Sequence, residues 1–224
     1  LVHAHTVFED MFAWLEAVAL EASNRPKILF VLRAHPDEDR PGKESQESMA
    51  AWVRARGLLE RDNVVFVSPA DRISSYELIR RARLVLVYNS SIGLEASILG
   101  TPVLCAGRAR YTQVPTVFYP RDRSEYLATL HRLLEGDGID YPEEFRRNAR
   151  AYLYHELFHG SLDLSEFLTP DRSLAGMVTF RPFDPARLAQ SPELEVIRRG
   201  ILEGEPFVMT RPPPGRTAGA AATI

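Results

Sequence analysis

The chain has 224 residues, 45% hydrophobic and 25% charged, an ordinary globular composition with room for one full core with extensions or two small domains. A net charge of −3 argues against a nucleic-acid partner, and no apolar run approaches the ~18–20 residues of a membrane span. The lone Cys105 precludes an internal disulfide and fits a reducing cytosol, while LVHAHTVFEDMF lacks a secretory signal's basic start and apolar centre and, beginning at Leu1, reads as a piece of something longer.

Met11–Glu21 has helical spacing, with Phe12, Leu15 and Ala19 on its apolar face, and Arg25-Pro26 stops it. Ile28–Leu32 reads as a buried strand that runs out into Arg33-Ala34-His35-Pro36, with Pro36 ending it. A polar loop over Asp37–Ser45, turning at Pro41-Gly42, precedes a helix over Glu47–Leu59 and a strand over Val64–Val67. Ser74 and Glu77 have capping-box spacing at the start of a helix that runs through Arg83. Next comes the most informative stretch. Leu84–Tyr88 is a continuous apolar run, as in a strand covered on both faces. Asn89-Ser90-Ser91 breaks that run, Gly93 permits a bend, Leu94–Leu99 makes a short helix ending at Gly100, and Pro102–Ala106 returns as a strand.

Arg108-Ala109-Arg110-Tyr111 is a basic, aromatic loop, and Val117–Tyr119 reads as one more short strand. Helices over Ser124–Leu134 and Glu143–Phe158 are divided by a turn at Gly136–Pro142. From Thr169 onward prolines crowd in and periodicity fades; Pro192–Glu203 reads as a terminal helix and Arg211–Ile224 as a disordered tail. Strands alternating with helices predict an α/β fold with a mostly parallel sheet and helices on both faces. The expected domains are 1–168, a Rossmann-like domain, and 169–224, a C-terminal extension that is partly helical and then disordered.

In such a sheet, ligands bind beyond the carboxyl ends of the strands, and phosphates favour helix N-termini. Asn89, Ser90, Ser91 and Gly93 are therefore expected to form a phosphate-binding turn with hydroxyls and free amides. Glu95, one turn into the helix, could accept from ribose or sugar hydroxyls. Arg33 and His35 end the first strand and would face the same cleft, where a guanidinium and an imidazole offset phosphate charge. Tyr111 would touch phosphate or base. Each motif also has a plain structural explanation, as a strand end or a helix cap. His155-Glu156-Leu157-Phe158-His159 matches the HExxH zinc pattern, but it ends a helix and no third ligand follows it, so histidines at a helix C-terminus are the simpler reading.

These motifs resemble the capsule-polysaccharide and lipopolysaccharide glycosyltransferases of bacteria, specifically the Kdo-transferase-like group of GT-B architecture. The matching pieces are Arg33-Ala34-His35-Pro36, Ser74–Ile79, Tyr88–Ala96 and Gly100-Thr101-Pro102-Val103 followed by Gly107 and Tyr111. In that group, and in bacterial sialyltransferases, an HP motif and a paired-serine motif bind the donor nucleotide; His35-Pro36 and Ser90-Ser91 stand at those positions. The resemblance implies a Rossmann-like C-terminal half of a GT-B enzyme, with the N-terminal acceptor domain missing. It implies a nucleotide-sugar donor, with a CMP-sugar favoured, a glycan or glycolipid acceptor, and neither cofactor nor metal. A cytoplasmic place follows, with peripheral inner-membrane association as an option. Two alternatives stay open: a non-catalytic nucleotide or sugar-phosphate binding module, and a zinc hydrolase built on His155 and His159.

Overall fold

A computed structural model describes residues 5–35, 38, 48–136, 138–171 and 176–210. Pro36, the turn at Pro41-Gly42 and the tail from Arg211 lie outside the described residues. The chain divides into two compact units, Leu1–Ala149 and Arg150–Ile224. This division falls upstream of the 168/169 boundary suggested by composition, inside a continuous helix.

Unit one opens with α1 (Met11–Asn24), whose first turn is capped by the Asp10 carboxylate accepting from the Ala13 amide at 2.7 Å. Its inner face buries Trp14, Leu15, Ala17, Val18 and Ala22. The buried Glu21 is charge-paired with Arg25 and bonded to His131 at 2.9 Å. β1 (Phe30–Arg33) starts two residues later than the apolar run suggests. The reason is Asn63, whose side-chain amide donates to the carbonyls of Ala22, Arg25 and Ile28 at 2.9, 3.1 and 3.1 Å. Ile28 is thus tied to a side chain rather than to a ladder.

α2 (Met49–Ala55) leads to β2 (Val64–Val67), which pairs in parallel with β1, Phe30 opposite Val64 and Arg33 opposite Val67. α3 (Ser75–Arg81) begins at Ser74, which stands at the cap position without a side-chain cap bond, and Glu77 is bonded to Arg80 at 2.8 Å. The capping box expected from spacing is therefore not formed. β3 (Val85–Val87), α4 (Ile92–Leu99) and β4 (Val103–Cys105) follow, with β3 and β4 parallel. Gly100 closes α4 in the left-handed region at φ 88°, which glycine adopts without strain. The expected strand at Val117–Tyr119 is reduced to one parallel bridge, Leu104 to Phe118.

The strand hydrogen bonds form two parallel pairs among the described residues instead of one continuous ladder. One apolar cluster nevertheless joins Phe30 and Val64 of the first pair to Leu104 of the second, with Trp14, Trp52, Val53, Tyr88, Tyr126 and Leu130. Successive β4 residues face opposite ways. Leu104 enters this cluster, while the Cys105 thiol lies 3.9 Å from the Tyr111 hydroxyl. Helices therefore cover both faces, and the fold is Rossmann-like α/β. α5 (Arg123–Glu135) packs on the α1 side, where the Trp14 indole donates to the Tyr126 hydroxyl at 2.7 Å inside the core. α6 (Glu143–Phe158) runs across the unit division.

Unit two holds an antiparallel pair, β5 (Leu168–Pro170) with β6 (Val178–Phe180), then α7 (Pro185–Leu188) and α8 (Pro192–Glu203). Ser191 caps α8 by accepting from the Leu194 amide at 3.3 Å. Among the described residues no helix is long and apolar enough to cross a membrane.

Candidate functional site

The site is built outward from β3. Val87 is its last residue, and Tyr88 carries the chain out of the sheet. The Tyr88 carbonyl is held by the Gly107 amide at 2.6 Å and by the Cys105 thiol at 3.2 Å, so the exit is fixed from β4. Asn89 and Ser90 are half-buried and Ser91 is exposed. The turn then closes on itself. Gly93 N–H donates to the Ser90 carbonyl at 3.1 Å, Leu94 and Glu95 to the Ser91 carbonyl at 3.0 and 3.4 Å, and Ile92 to the Ser90 hydroxyl at 3.4 Å. The expectation of several free amides at this helix start is corrected accordingly: those of residues 92–95 are engaged. Ser91 caps nothing with its side chain, so its exposed hydroxyl is what the turn offers.

Two residues take a different place from the one the sequence suggests. Tyr111, in a 3-10 turn over Arg110–Gln113, is 3% exposed and its hydroxyl donates to the Ser90 carbonyl at 2.7 Å. Burial, then the nearby Cys105, drives that phenol far above its ordinary pKa. Tyr111 is a strut beneath the turn rather than a group in contact with phosphate or base. Gly93 matters for the same reason. A Cβ there would lie 2.4 Å from the Tyr111 hydroxyl and 2.9 Å from Val87 Cγ2. Its small size serves packing against Tyr111 and Val87.

Below the strut runs a buried polar chain. Thr116 donates to the Tyr111 carbonyl at 2.8 Å, Ser97 to the Thr116 carbonyl at 2.7 Å, and Tyr141 to the Ser97 hydroxyl at 2.7 Å. Burial pushes the Tyr141 phenol up to about 12. Such satisfied chains rigidify what they hold. Glu95, half-buried on α4, accepts from the hydroxyl of Tyr76 on α3. That hydrogen bond, with the carboxylate's charge, raises the Tyr76 phenol.

Arg33 ends β1, and its Nε and Nη1 are buried with no hydrogen-bond partner among the described residues. His35 is exposed two residues on. Ser90, Ser91, Gly93, Glu95 and Tyr111 are thus one connected cluster. Arg33 makes no side-chain hydrogen bond to it; it shares the compact unit but ends the other strand pair. Two residues that the motif reading did not place in the site also adjoin the cluster: Tyr76, through Glu95, and His5, through Tyr88 at 2.6 Å. No local spacing announces either contact, since they join residues 19 and 83 positions apart.

The HExxH histidines are stacked at the end of α6, with ring centroids 5.6 Å apart. His159 Nδ1 donates to the Met209 carbonyl at 2.7 Å, and the Met209 amide returns a bond to the His159 carbonyl at 2.9 Å. Among the described residues no group of three or more potential metal ligands forms. His159 therefore serves as a clasp on the segment at Met209.

The profile of the capsule polysaccharide biosynthesis protein family matches residues 2–115, half of the chain. The chain belongs to this family. The matched stretch carries the candidate residues Arg33, His35, Asn89, Ser90, Ser91, Gly93, Glu95 and Tyr111. Protein FixF of Sinorhizobium fredii is 28% identical over 171 residues, covering 76% of this chain and 37% of FixF. The capsule-family chain thus spans little more than a third of that relative's length. No solved structure matches it.

Proposed function

We propose that the chain is the donor-binding half of a glycosyltransferase of bacterial surface-polysaccharide synthesis, taking a nucleotide sugar with a CMP-Kdo-like donor favoured. Family membership supports the pathway. The observation that carries the ligand class is Arg33. A guanidinium with two buried nitrogens and no partner among the described residues is costly, unless an anion completes it. Its place at the carboxyl end of a parallel strand suits a phosphate. In the proposed step an acceptor hydroxyl attacks the anomeric carbon. The sugar–phosphate bond breaks, the nucleotide leaves with the bonding electrons, and the hydroxyl proton passes to a base in the acceptor half. Arg33, His35 and the Ser91 hydroxyl offset the charge gathering on the phosphate. Glu95 would take the ribose diol, giving up Tyr76 in exchange.

The test is a thermal-shift series with CMP, UDP, GDP and ADP on the 224-residue chain. A nucleotide at 100 times its dissociation constant adds ~2.7 kcal/mol of stability. Arg33→Met should abolish that shift while holding or raising basal stability, by up to ~1–3 kcal/mol, because an unsatisfied buried donor is removed. A chain that answers to none of the four nucleotides would refute the reading.

A further inference from the structure

Tyr88 and Tyr119 each stand one residue beyond a parallel element, Tyr88 after β3 and Tyr119 after the Phe118 bridge to β4. The N-terminal segment is fastened to both. His5 Nδ1 lies 2.6 Å from the Tyr88 hydroxyl, and the Thr6 hydroxyl lies 2.7 Å from that of Tyr119. His5 and Thr6 are therefore fastened to the two residues that follow these elements, Tyr88 being the one that leads into the Asn89-Ser90-Ser91 turn. Tyr88 is itself immobilised. Its ring is buried, it packs on the Trp14 indole with centroids 5.8 Å apart, and its carbonyl is doubly held.

The polarity of this contact can be deduced. The Tyr88 phenol is raised above its ordinary range by burial, then by Asp10 and Tyr119, so it keeps its proton. Among the described residues its hydroxyl has one hydrogen-bond partner, His5 Nδ1. The contact is part-buried, and among the described residues the Nδ1 lone pair is the acceptor in reach of the hydroxyl proton. Nδ1 accepting fixes the tautomer with the proton on Nε2. His5 itself is exposed. A phenol held by the core thus orients an accessible N–H donor next to the residue that leads into the proposed phosphate turn.

Resting on the donor-site reading above, we propose that His5 is a ligand-binding residue of that site, its Nε2–H donating to a phosphate oxygen of the nucleotide, with Tyr88 as its positioning partner. The competing role is a purely structural rung that pins the N-terminal segment. His5→Asn separates them, because its amide overlays Nδ1 and keeps a partner for Tyr88 while the Nε2–H is lost.

Calorimetric titration of the 224-residue chain with CMP, UDP, GDP and ADP supplies the readout. His5→Asn should leave the melting temperature unchanged and weaken the bound nucleotide about 10-fold, the scale of one hydrogen bond to a charged group. His5→Gln, whose amide reaches the Nε2 position, should recover most of the affinity. Independently of any substitution, the His5 imidazole 15N resonances of the unsubstituted chain should move on nucleotide addition. Unchanged affinity in His5→Asn, or imidazole resonances that stay still while nucleotide binds, overturns the proposal. Binding that Arg33→Met abolishes and His5→Asn leaves intact rejects His5 alone; no binding of any nucleotide rejects the donor-site reading with it.

Discussion

Gly93 and Tyr111 are best understood as a pair. The methyl of Gly93→Ala would sit 2.4 Å from the Tyr111 hydroxyl, closer than any tolerated contact. Overpacking of this kind costs ~1–3 kcal/mol, and Gly93→Val should cost more, so nucleotide binding lost in either variant must be judged against unfolding. Tyr111→Phe removes the clashing oxygen. Alone it should cost less than ~1–3 kcal/mol, since the Ser90 carbonyl still accepts from the Gly93 amide at 3.1 Å. Combined, the two changes should destabilise by less than the sum of the singles, and urea melts of the four chains measure that coupling. Additivity would show that the Tyr111 hydroxyl is not the obstacle.

Cys105 gives a second residue-level expectation, this time in pH. Burial pushes its thiol up to about 11 from an ordinary 9.0. The fold therefore prefers the neutral thiol, and this contribution is whole below about pH 9.0 and lost as pH rises through about 11. Tyr141, raised in the same direction to about 12, adds to the alkaline loss at higher pH. The melting temperature should fall across the Cys105 window, and Cys105→Ala should flatten that fall. At neutral pH a thiol reagent should modify the chain only after denaturant is added.

Among the elements, α1 and α5 meet through Trp14 and Tyr126, the latter fully buried. Tyr126→Phe leaves the indole N–H without its acceptor and should cost ~1–3 kcal/mol in a denaturant melt, with no change in nucleotide affinity. Leu15 was legible as core because it shares helical spacing with Phe12 and Ala19, which pack partly buried against the same cluster, whereas Trp14 did not stand in that stripe; β2 to β4 were legible because short apolar runs stood between turn signals. β5 and β6 were not legible. Pro170 demotes its strand, and Val178 and Phe180 are exposed, so neither burial nor alternation marks the pair. The same limit applied to the site. Asn89-Ser90-Ser91 announced a turn, but the position of Tyr111 beneath it depends on a fold that brings residues 21 apart together. The Ser74 capping box failed because spacing permits the bond without compelling it, and Glu77 found Arg80 instead.

For the whole molecule, the question is which part carries the ligand site. Every candidate residue of the donor site lies in the first compact unit, Leu1–Ala149, and the family match ends within it at residue 115. The first half of α6 belongs to that unit's architecture. Arg146 donates to the Ile98 carbonyl at 3.2 Å and Asn148 to the Pro115 carbonyl at 2.9 Å, supporting the end of α4 and the segment that leads to the Thr116 rung. A chain cut at Pro142 would lose both supports and should melt lower for that reason alone. A chain ending at Gly160 keeps α6 entire and gives up β5, β6, α7 and α8, none of which contains a candidate residue. It should bind the same nucleotide as the full chain, with a dissociation constant within about 3-fold, a difference of ~0.65 kcal/mol. Titration of the two chains side by side decides the point. Equal affinity assigns nucleotide recognition to the first unit. A fold that survives the cut while affinity is lost would mean that residues beyond Gly160 take part in binding, and the site built here from the first unit alone would then be incomplete.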